Sequence, residues 1–239
     1  MSYPGSKGQA GTFQRIIGQM PPHDLYVEPF AGSAQVFWRK RAASRTSILI
    51  DKDAAAIAHL RATVRNAQMR AGGSVLLLSQ CGLQWLDSEG LNLIWSDAAV
   101  IYCDPPYLLS TRKGRRYYDH ELSEDDHSTL LSTLLEVKAH VLISGYPSEL
   151  YRTKLAAWRC ISYRTRTRGR TVTECLWCNF AEPAALHDWR YAGRSFRERL
   201  GLKRLASAYC RRLAAFNPRK RGYLLNAIGE QFSKLATCK

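Results

Sequence analysis

The chain has 239 residues, of which 46% are hydrophobic, and it carries a formal net charge of +15. This length fits one α/β domain with an appendage or two small domains, and the hydrophobic content suffices for a sizeable core. No apolar stretch approaches the roughly 18 residues that cross a bilayer, and the N-terminus lacks a signal-peptide pattern, so we expect a soluble, cytoplasmic protein with no membrane partner.

The first predicted strand covers residues 25–30 and ends at the small residues Ala31-Gly32-Ser33-Ala34. A helix is expected directly after it. A second apolar run covers residues 47–50 and is closed by Asp51, and the Ala-rich pattern of residues 54–70 predicts a second helix.

The chain after these elements continues the alternation of predicted strands and helices. Strands are predicted at 74–79, 98–103 and 141–144, and a helix at 123–138 with Ser123 as its N-cap. The segments 159–167 and 172–180 predict an antiparallel hairpin whose turn contains Arg168-Gly169-Arg170. We therefore predict an α/β domain over residues 1–185, with a mostly parallel sheet that ends in this hairpin.

The C-terminal segment, residues 186–239, has a different composition. It contains 13 Lys or Arg residues and three acids, a net +10, and its apolar residues recur at helical spacing. Asn217-Pro218 divides the pattern into two predicted helices. We expect a small basic helical appendage that favours a polyanionic partner such as nucleic acid; the alternative is a merely well-solvated helical surface.

The seven cysteines are odd in number and scattered, which is not the pattern of a secreted disulfide framework. Cys175 and Cys178 form one C-x-x-C pair without a second pair at zinc-site spacing. We expect these two residues to line a strand and predict no metal.

The segment Asp104-Pro105-Pro106-Tyr107 follows the apolar run of the fourth predicted strand. The prolines stiffen the backbone and remove two donors, so the Asp104 carboxylate and the Pro105 carbonyl can both accept from one –NH₂ group. Tyr107 offers a ring face for stacking. The segment therefore predicts a site for a planar amino-bearing group, such as a nucleobase; the alternative is a Pro-Pro turn capped by Asp.

Two further acids are expected near this segment, since ligands of parallel α/β sheets bind at the carboxyl ends of strands. Glu28 precedes the small-residue turn at 31–34, and Asp51 follows the next strand, where an acid can hold ribose hydroxyls. The N-terminal Tyr3-Pro4-Gly5-Ser6-Lys7 is interpreted as a turn that presents Tyr3 and Lys7 to a ligand, or as a flexible start.

Four motifs together resemble a known family. Tyr-Pro-Gly-Ser-Lys (3–7), Val-Glu-Pro-Phe-Ala-Gly-Ser (27–33), Ile-Asp-Lys-Asp (50–53) and Tyr-Cys-Asp-Pro-Pro-Tyr (102–107) occur in the order found in Dam-type (class D12) DNA N6-adenine methyltransferases. Segments 142–146 and 173–180 look like later segments of the phage- and mobile-element-borne members. The resemblance covers roughly residues 3–180.

The resemblance implies a Rossmann-like methyltransferase fold and S-adenosylmethionine (SAM) as the methyl donor for N6 of adenine. It implies that Tyr3 and Lys7 contact SAM and that Asp51 holds its ribose. The turn that encloses the methionine part of SAM would comprise Glu28, Phe30, Gly32 and Ser33. Many relatives have an acid after the third strand that binds the SAM adenine edge; this chain has Ser79-Gln80-Cys81-Gly82 instead.

The implied chemistry places Asp104 between SAM and the target amine, with Asp104, Pro105, Pro106 and Tyr107 as the catalytic segment. The adenine of double-stranded DNA would be flipped out of the helix, which costs a few kcal/mol. Its ring would stack on Tyr107, and its N6 would donate to Asp104 and to the Pro105 carbonyl. Alignment and electrostatics then account for most of the catalysis.

Basic residues near the motif predict contacts with DNA phosphates or guanine edges, or else serve solubility alone. They occur in the segment after Asp104–Tyr107 and in the predicted hairpin: Arg112, Lys113, Arg115, Arg116, Arg166, Arg168 and Arg170. Sequence-specific Dam relatives carry a recognition insert before the Asp-Pro-Pro-Tyr motif, whereas core elements account for nearly all of residues 34–103 here. We therefore expect short or relaxed sequence specificity.

Three other functions remain open at this stage. An RNA N6-adenine methyltransferase would share the chemistry, and only substrate competition would separate the two. Methylation of a protein glutamine amide is disfavoured by the positive charge. A catalytically inactive nucleic-acid-binding protein is disfavoured by Lys7, Asp51, Asp104 and Tyr107. The sequence does not determine the oligomeric state.

Overall fold

The computed structural model describes residues 7–9, 11–66, 73–90, 98–112, 120–167 and 170–236. The chain forms two compact units, Met1–Tyr191 and Ala192–Lys239. The first unit extends past the predicted boundary at residue 185, because His187 N–H donates to the Met20 carbonyl at 3.0 Å and Asp188 accepts from Arg41 N–H at 2.9 Å. The roles expected of the two units stay predictions.

The regular elements of the described residues alternate as the sequence predicts. The strands are β1 (Leu25–Glu28), β2 (Thr46–Asp51), β3 (Ser74–Ser79), β4 (Ala99–Cys103), β5 (His140–Gly145), β6 (Arg159–Thr167) and β7 (Arg170–Cys178). The helices are α1 (Thr12–Ile17), α2 (Gln35–Arg39), α3 (Ala54–Asn66), α4 (Gly82–Trp85), α5 (Glu124–Glu136), α6 (Glu149–Lys154), α7 (Phe196–Ala214) and α8 (Pro218–Ala236). A π-helical turn at Leu86–Gly90 continues α4.

The strands form one seven-stranded sheet in the order β3-β2-β1-β4-β5-β7-β6. Strands β1 to β5 are parallel, and β7 pairs antiparallel with both β5 and β6. The predicted fold class, a mostly parallel Rossmann-like sheet that ends in an antiparallel hairpin, is confirmed. Because β1 lies between β2 and β4, the carboxyl ends of these three strands meet at one edge.

Both faces of the sheet are buried, as a parallel sheet covered by helices requires. Val27, Ile50 and Ile101 belong to the apolar cluster on one face, and Tyr26, Leu49, Val100 and others to the cluster on the opposite face. Central strands therefore appear in the sequence as continuous apolar runs rather than as alternating patterns. The burial of all five residues of β4 illustrates this.

Local capping chemistry sets several element ends. Ser123 caps α5: its Oγ accepts from Asp126 N–H at 3.0 Å, and its own N–H donates to the Asp126 carboxylate at 2.9 Å. Pro218 begins α8, where a missing N–H costs nothing, and Asn217 Oδ1 accepts from Lys220 N–H at 2.9 Å. The predicted cap at Ser123 and the predicted break at Asn217-Pro218 are confirmed.

The differences from the predicted elements are small and local. β1 ends at Glu28 rather than at residue 30, because Pro29 cannot donate to the strand ladder. The prediction did not include α1, α4 or α6, which have only four to six residues each and so cannot display a helical repeat. Cys175 and Cys178 lie on β7, as expected.

The second unit consists of α7 and α8, which carry apolar and basic residues around their surfaces. Ser195 caps α7 by accepting from Glu198 N–H at 3.1 Å. Large apolar side chains are exposed on both helices and in the connection between them: Phe196, Leu202, Leu205, Tyr209, Phe216, Tyr223, Leu225, Ile228 and Phe232. Among the described residues, no helix combines the length and the apolar character needed to cross a membrane.

Gly82, at the start of α4, should be intolerant of a side chain. A Cβ built on it would lie 1.9 Å from the carbonyl oxygen of Pro29, and two backbone segments cannot both remain in place at that distance. We expect Gly82→Ala to lower the free energy of unfolding by about 3 kcal/mol, as measured by urea denaturation. Ser79→Ala, at the exposed end of the neighbouring strand, is the control and should change stability little; equal stability of both variants would contradict the packing described.

Candidate active site

Three carboxylates meet at the carboxyl edge of the sheet, as the sequence predicts. Glu28 is the last residue of β1, Asp51 is the last residue of β2, and Asp104 directly follows β4. All three side chains are partly or fully withdrawn from water: Glu28 is buried and the other two are half-buried. Burying a charged carboxylate costs free energy unless the group is paired, hydrogen-bonded or protonated. The site is therefore described by the partners of each acid.

The turn after β1 is held in a strained backbone conformation. Gly32 and Ala34 both have φ of 48°, in the left-handed region, although Ala34 carries a side chain. Ala31 N–H donates to the Ile50 carbonyl at 2.8 Å, which ties the turn to β2. The turn therefore brings its backbone to the edge of the sheet in one fixed conformation.

Asp51 fixes this turn directly. Its Oδ2 accepts from Gly32 N–H at 2.7 Å, and its Oδ1 accepts from Asp53 N–H at 2.8 Å. Burial raises the pKa of Asp51, and the two backbone hydrogen bonds oppose that rise. Each carboxylate oxygen has a second lone pair, so Asp51 can hold the turn and still accept from a ligand hydroxyl.

Glu28 is 3% exposed and accepts from the Tyr26 hydroxyl at 3.0 Å through Oε2. Burial raises the pKa of Glu28 to about 8, against the opposing effects of Tyr26 and Lys40. The carboxyl group therefore holds its proton near neutral pH and can donate as well as accept a hydrogen bond.

The segment after β3 packs against the same turn. Gln80 N–H donates to the Asp51 carbonyl at 3.1 Å, and Gly82 lies against the Pro29 carbonyl. This segment is the one at which the resemblance to Dam-type enzymes predicts an acid that the sequence lacks. The structure thus brings Gln80 and Cys81 to the same edge as Asp51.

Asp104 forms an ion pair with Lys7, in which Nζ lies 2.7 Å from Oδ1. The side chains are 17% and 7% exposed, respectively. Burial raises the pKa of Asp104, and Lys7 opposes the rise. Burial would lower the pKa of Lys7, but the charges of Asp104 and Glu174 outweigh it, so the pKa of Lys7 is raised and its ammonium persists.

Aromatic rings pack beside this ion pair. Lys7 Nζ lies 4.8 Å from the centroid of the Tyr107 ring, and Tyr107 meets Tyr146 edge-to-face at 4.6 Å between centroids. The Tyr107 hydroxyl is buried, and its hydrogen bonding opposes the rise in the pKa of the Asp104 and Glu174 carboxyls. Lys7 therefore occupies one face of the ring that the sequence predicts as a stacking surface.

The antiparallel hairpin adds a fourth acid that the sequence analysis did not single out. Glu174 on β7 is 5% exposed, and its Oε2 accepts from the Tyr163 hydroxyl on β6 at 3.1 Å. Glu174 and Tyr163 are paired across the two strands. An acid in an edge hairpin has no sequence signal beyond the resemblance of segment 173–180, so only the fold reveals its position.

A buried histidine supports the Asp104–Tyr107 segment from behind. His127 on α5 is fully buried, and its Nδ1 lies 3.0 Å from the Tyr151 hydroxyl. Burial lowers the pKa of His127 to about 4, while the backbone of Pro106 opposes that effect. His127 is thus neutral and contacts the loop as part of its packing, a role that the sequence pattern did not indicate.

The residues predicted to bind DNA are placed unevenly. Arg112 is 8% exposed and forms a bidentate ion pair with Glu121, so a phosphate contact would require that pair to open. Arg170 is exposed at the start of β7, and the backbone of Arg166 belongs to β6. Their predicted roles stay predictions. The following predicted site residues lie outside the described residues: Tyr3, Lys113, Arg115, Arg116 and Arg168.

The N-terminal segment that carries Lys7 is anchored to the hairpin. Thr12 Oγ1 on α1 lies 3.1 Å from Thr165 Oγ1 on β6, a hydrogen-bonding distance. The Arg15 guanidinium lies 5.5 Å from the centroid of the Tyr163 ring. Lys7 is therefore placed by contacts of the following helix. No group of three or more His, Cys, Asp or Glu side chains in the described residues could hold a metal ion.

Comparisons with known proteins yield fold likenesses only. No protein-family model matches the chain, and no curated protein matches it. A SAM-dependent methyltransferase from Agrobacterium tumefaciens is 14% identical with a TM-score of 0.48, and the match covers 70% of this chain and 58% of that one. Magnesium protoporphyrin IX methyltransferase from Synechocystis with bound SAM is 10% identical with a TM-score of 0.45, covering 70% and 75% of the two chains.

A third similar structure is TrmK from M. capricolum in complex with S-adenosyl-homocysteine. It is 10% identical with a TM-score of 0.46, and the match covers 97% of this chain and 99% of that one. At such identities and scores, the likenesses carry no argument about ligand or substrate.

The proton on buried Glu28 should make stability depend on pH. Between its ordinary pKa of 4.5 and the folded value of about 8, the folded state holds a proton that the unfolded state releases. The free energy of unfolding should therefore fall as pH rises through this window. We expect Glu28→Gln to remove this pH-dependent fall in the free energy of unfolding. Above pH 8 the variant should be more stable than the wild type by on the order of 4 kcal/mol.

The measurement is urea denaturation at intervals from pH 5 to pH 9. Glu136→Gln, at the exposed end of α5, is the control and should follow the wild-type curve. A constant difference between Glu28→Gln and the wild type across this range would show that Glu28 is ionised when folded.

Proposed function

We propose that this protein is a SAM-dependent methyltransferase that modifies N6 of adenine in double-stranded DNA. The observation that carries the proposal is the Asp104-Pro105-Pro106-Tyr107 loop at the carboxyl edge of a Rossmann-like sheet, beside the acids Glu28 and Asp51. At the ligand edge of such a sheet, a stiff pair of acceptors next to an aromatic ring suits a planar substrate that carries an amino group.

The residues at the edge fit a SAM molecule. The turn at 31–34 consists of small residues, two of which, Gly32 and Ala34, are in the left-handed conformation, and this allows a ligand to approach the backbone closely. Asp51 keeps lone pairs for ribose hydroxyls, and Glu28 is a protonated carboxyl near the turn. By the resemblance, Lys7, Phe30 and Ser33 would complete the contacts. When bound, SAM would supply an electrophilic methyl group.

The catalytic segment would act on the target amine by hydrogen bonding. Lys7 bonds Oδ1 of Asp104, so Oδ2 is the oxygen that would accept from the adenine N6, together with the Pro105 carbonyl. Two acceptors in the correct orientation draw the nitrogen lone pair out of conjugation with the ring. Pro106 limits movement of the loop, and His127 and Tyr151 pack behind it.

Recognition of the base would depend on the aromatic wall. Lys7 lies over one face of Tyr107, so a flipped adenine would stack on the other face or against Tyr146. Flipping gives access to the amine, at a cost of a few kcal/mol.

Affinity for DNA would come mainly from contacts with the sugar-phosphate backbone of the DNA. The exposed Arg170 on the hairpin and the basic residues of α7 and α8 suit phosphates. The short distance in sequence between the turn at 31–34 and Asp104 provides no room for a recognition insert of the Dam type. We therefore propose relaxed sequence specificity.

Asp104→Ala should abolish methyl transfer, with a fall of about 100-fold or more, because an acceptor for the amine is lost. The assay follows labelled methyl from SAM into unmethylated duplex DNA, with folding checked by circular dichroism. Asp125→Ala, on the exposed first turn of α5, is the control and should keep full activity.

Mapping of the modified bases tests the substrate. N6-methyladenine in many sequence contexts supports the proposal, whereas modification confined to a site of four or more defined bases would refute the relaxed specificity. Transfer to RNA in preference to DNA, in competition, would replace the DNA assignment with the RNA one. Intact SAM binding without transfer to either nucleic acid would contradict both.

Charge removal from α7 should change the salt dependence of DNA binding. Arg204→Gln with Arg211→Gln removes two exposed cations, and we expect the slope of log K against log salt to become shallower by about 1–2. Binding should weaken to a similar extent on unrelated sequences. Arg61→Gln with Arg152→Gln, on α3 and α6, is the matched control; an equal change in both double variants would show that α7 has no special part in binding.

A further inference from the structure

Lys7 lies in a site that holds more than one carboxylate. Its ammonium is bonded to Asp104 at 2.7 Å, and the charge of Glu174 acts on it as well. Lys7 is 7% and Glu174 5% exposed, so their interaction is poorly screened by water. The ammonium thus pairs with an acid of the Asp104–Tyr107 loop and also lies in the field of an acid of the hairpin.

Strand register places Glu174 beside Tyr146, the ring that packs against Tyr107. Gly145 on β5 pairs with Cys175 on β7, so the next residues along, Tyr146 and Glu174, lie next to each other where the two strands leave their pairing. Tyr146 contacts Tyr107, whose ring lies under Lys7. Glu174 is therefore connected to the catalytic loop through the aromatic wall as well as through the charge of Lys7.

Tyr163 fixes the orientation of Glu174. Its hydroxyl donates to Oε2 at 3.1 Å from the facing position on β6. A hydrogen bond to a carboxylate favours the charged form, which offsets part of the cost of burial. Burial raises the pKa of Glu174, and the charge of Lys7 is the largest opposing effect.

We propose that Glu174 is a positioning residue of the active site: it shares the Lys7 ammonium with Asp104 and so leaves the Asp104 carboxylate available to the substrate amine. Without Glu174, Lys7 would bind Asp104 alone and more tightly, and the amine would compete less well for the carboxylate. Glu174 itself touches neither substrate nor cofactor in this role. The inference deepens the proposed methyl transfer and rests on it for its catalytic consequence.

The charge coupling can be tested without a substrate. In cofactor-free protein with ¹³C-labelled aspartate carboxyls, the Asp104 signal is assigned by its loss in Asp104→Asn. Because Glu174→Gln removes a neighbouring negative charge, the titration midpoint of Asp104 should move to lower pH. Thr173→Ala, on the exposed side of the same strand, should titrate like the wild type. An unchanged midpoint in Glu174→Gln would overturn the proposal.

The catalytic consequence is tested by turnover. Glu174→Gln should lower kcat about 10- to 100-fold and move the acid limb of its pH profile to lower pH. A purely structural role would lower kcat without moving that limb, and this result would also overturn the proposal. Tyr163→Phe, which keeps the ring and loses the donor to Glu174, should show a smaller fall in the same direction. If the wild type transfers no methyl group, the proposed function fails, while the Asp104 titration still decides the coupling.

Discussion

The cost of burying carboxylates at one edge of the sheet determines how this site is built. Parallel pairing of β1 with β2 and β4 brings Glu28, Asp51 and Asp104 together, and each acid is accommodated differently. Glu28 keeps its proton, Asp51 accepts two backbone N–H groups, and Asp104 pairs with a lysine. Three neighbouring carboxylates thereby avoid mutual repulsion, and this edge of the sheet has acids in three different states.

The same requirement explains contacts that are distant in sequence. Lys7 is 97 residues from Asp104 along the chain, yet the ion pair neutralises a charge that the loop would otherwise leave buried. The contact between Thr12 and Thr165 ties the N-terminal segment to the hairpin that carries Glu174. The N-terminal segment, the Asp104–Tyr107 loop and the hairpin are therefore coupled, so a change in one should affect the other two.

The sequence motifs and the structural comparisons differ in how much they indicate about the substrate. The ordered motifs from residue 3 to residue 180 resemble those of enzymes that methylate amino groups in DNA, while the solved structures with similar folds are too distant to indicate a substrate. The geometry supports the motif-based interpretation at Asp104 and Asp51, where the predicted acids lie at one edge. The geometry disagrees with a simple DNA-contact role for Arg112, because this residue forms a buried ion pair with Glu121.

The sequence by itself determined the order of strands and helices, the cap at Ser123, the break before Pro218 and the convergence of Glu28, Asp51 and Asp104. Each depends on local chemistry or on the rule that parallel strands share a carboxyl edge. Only the tertiary structure decided which acid meets which partner: the Lys7–Asp104 pair, the protonation of Glu28, the burial of Arg112 and the arrival of Glu174 beside Tyr146. These depend on antiparallel register and on burial. Both arise from contacts between distant segments and produce no periodic pattern in the sequence.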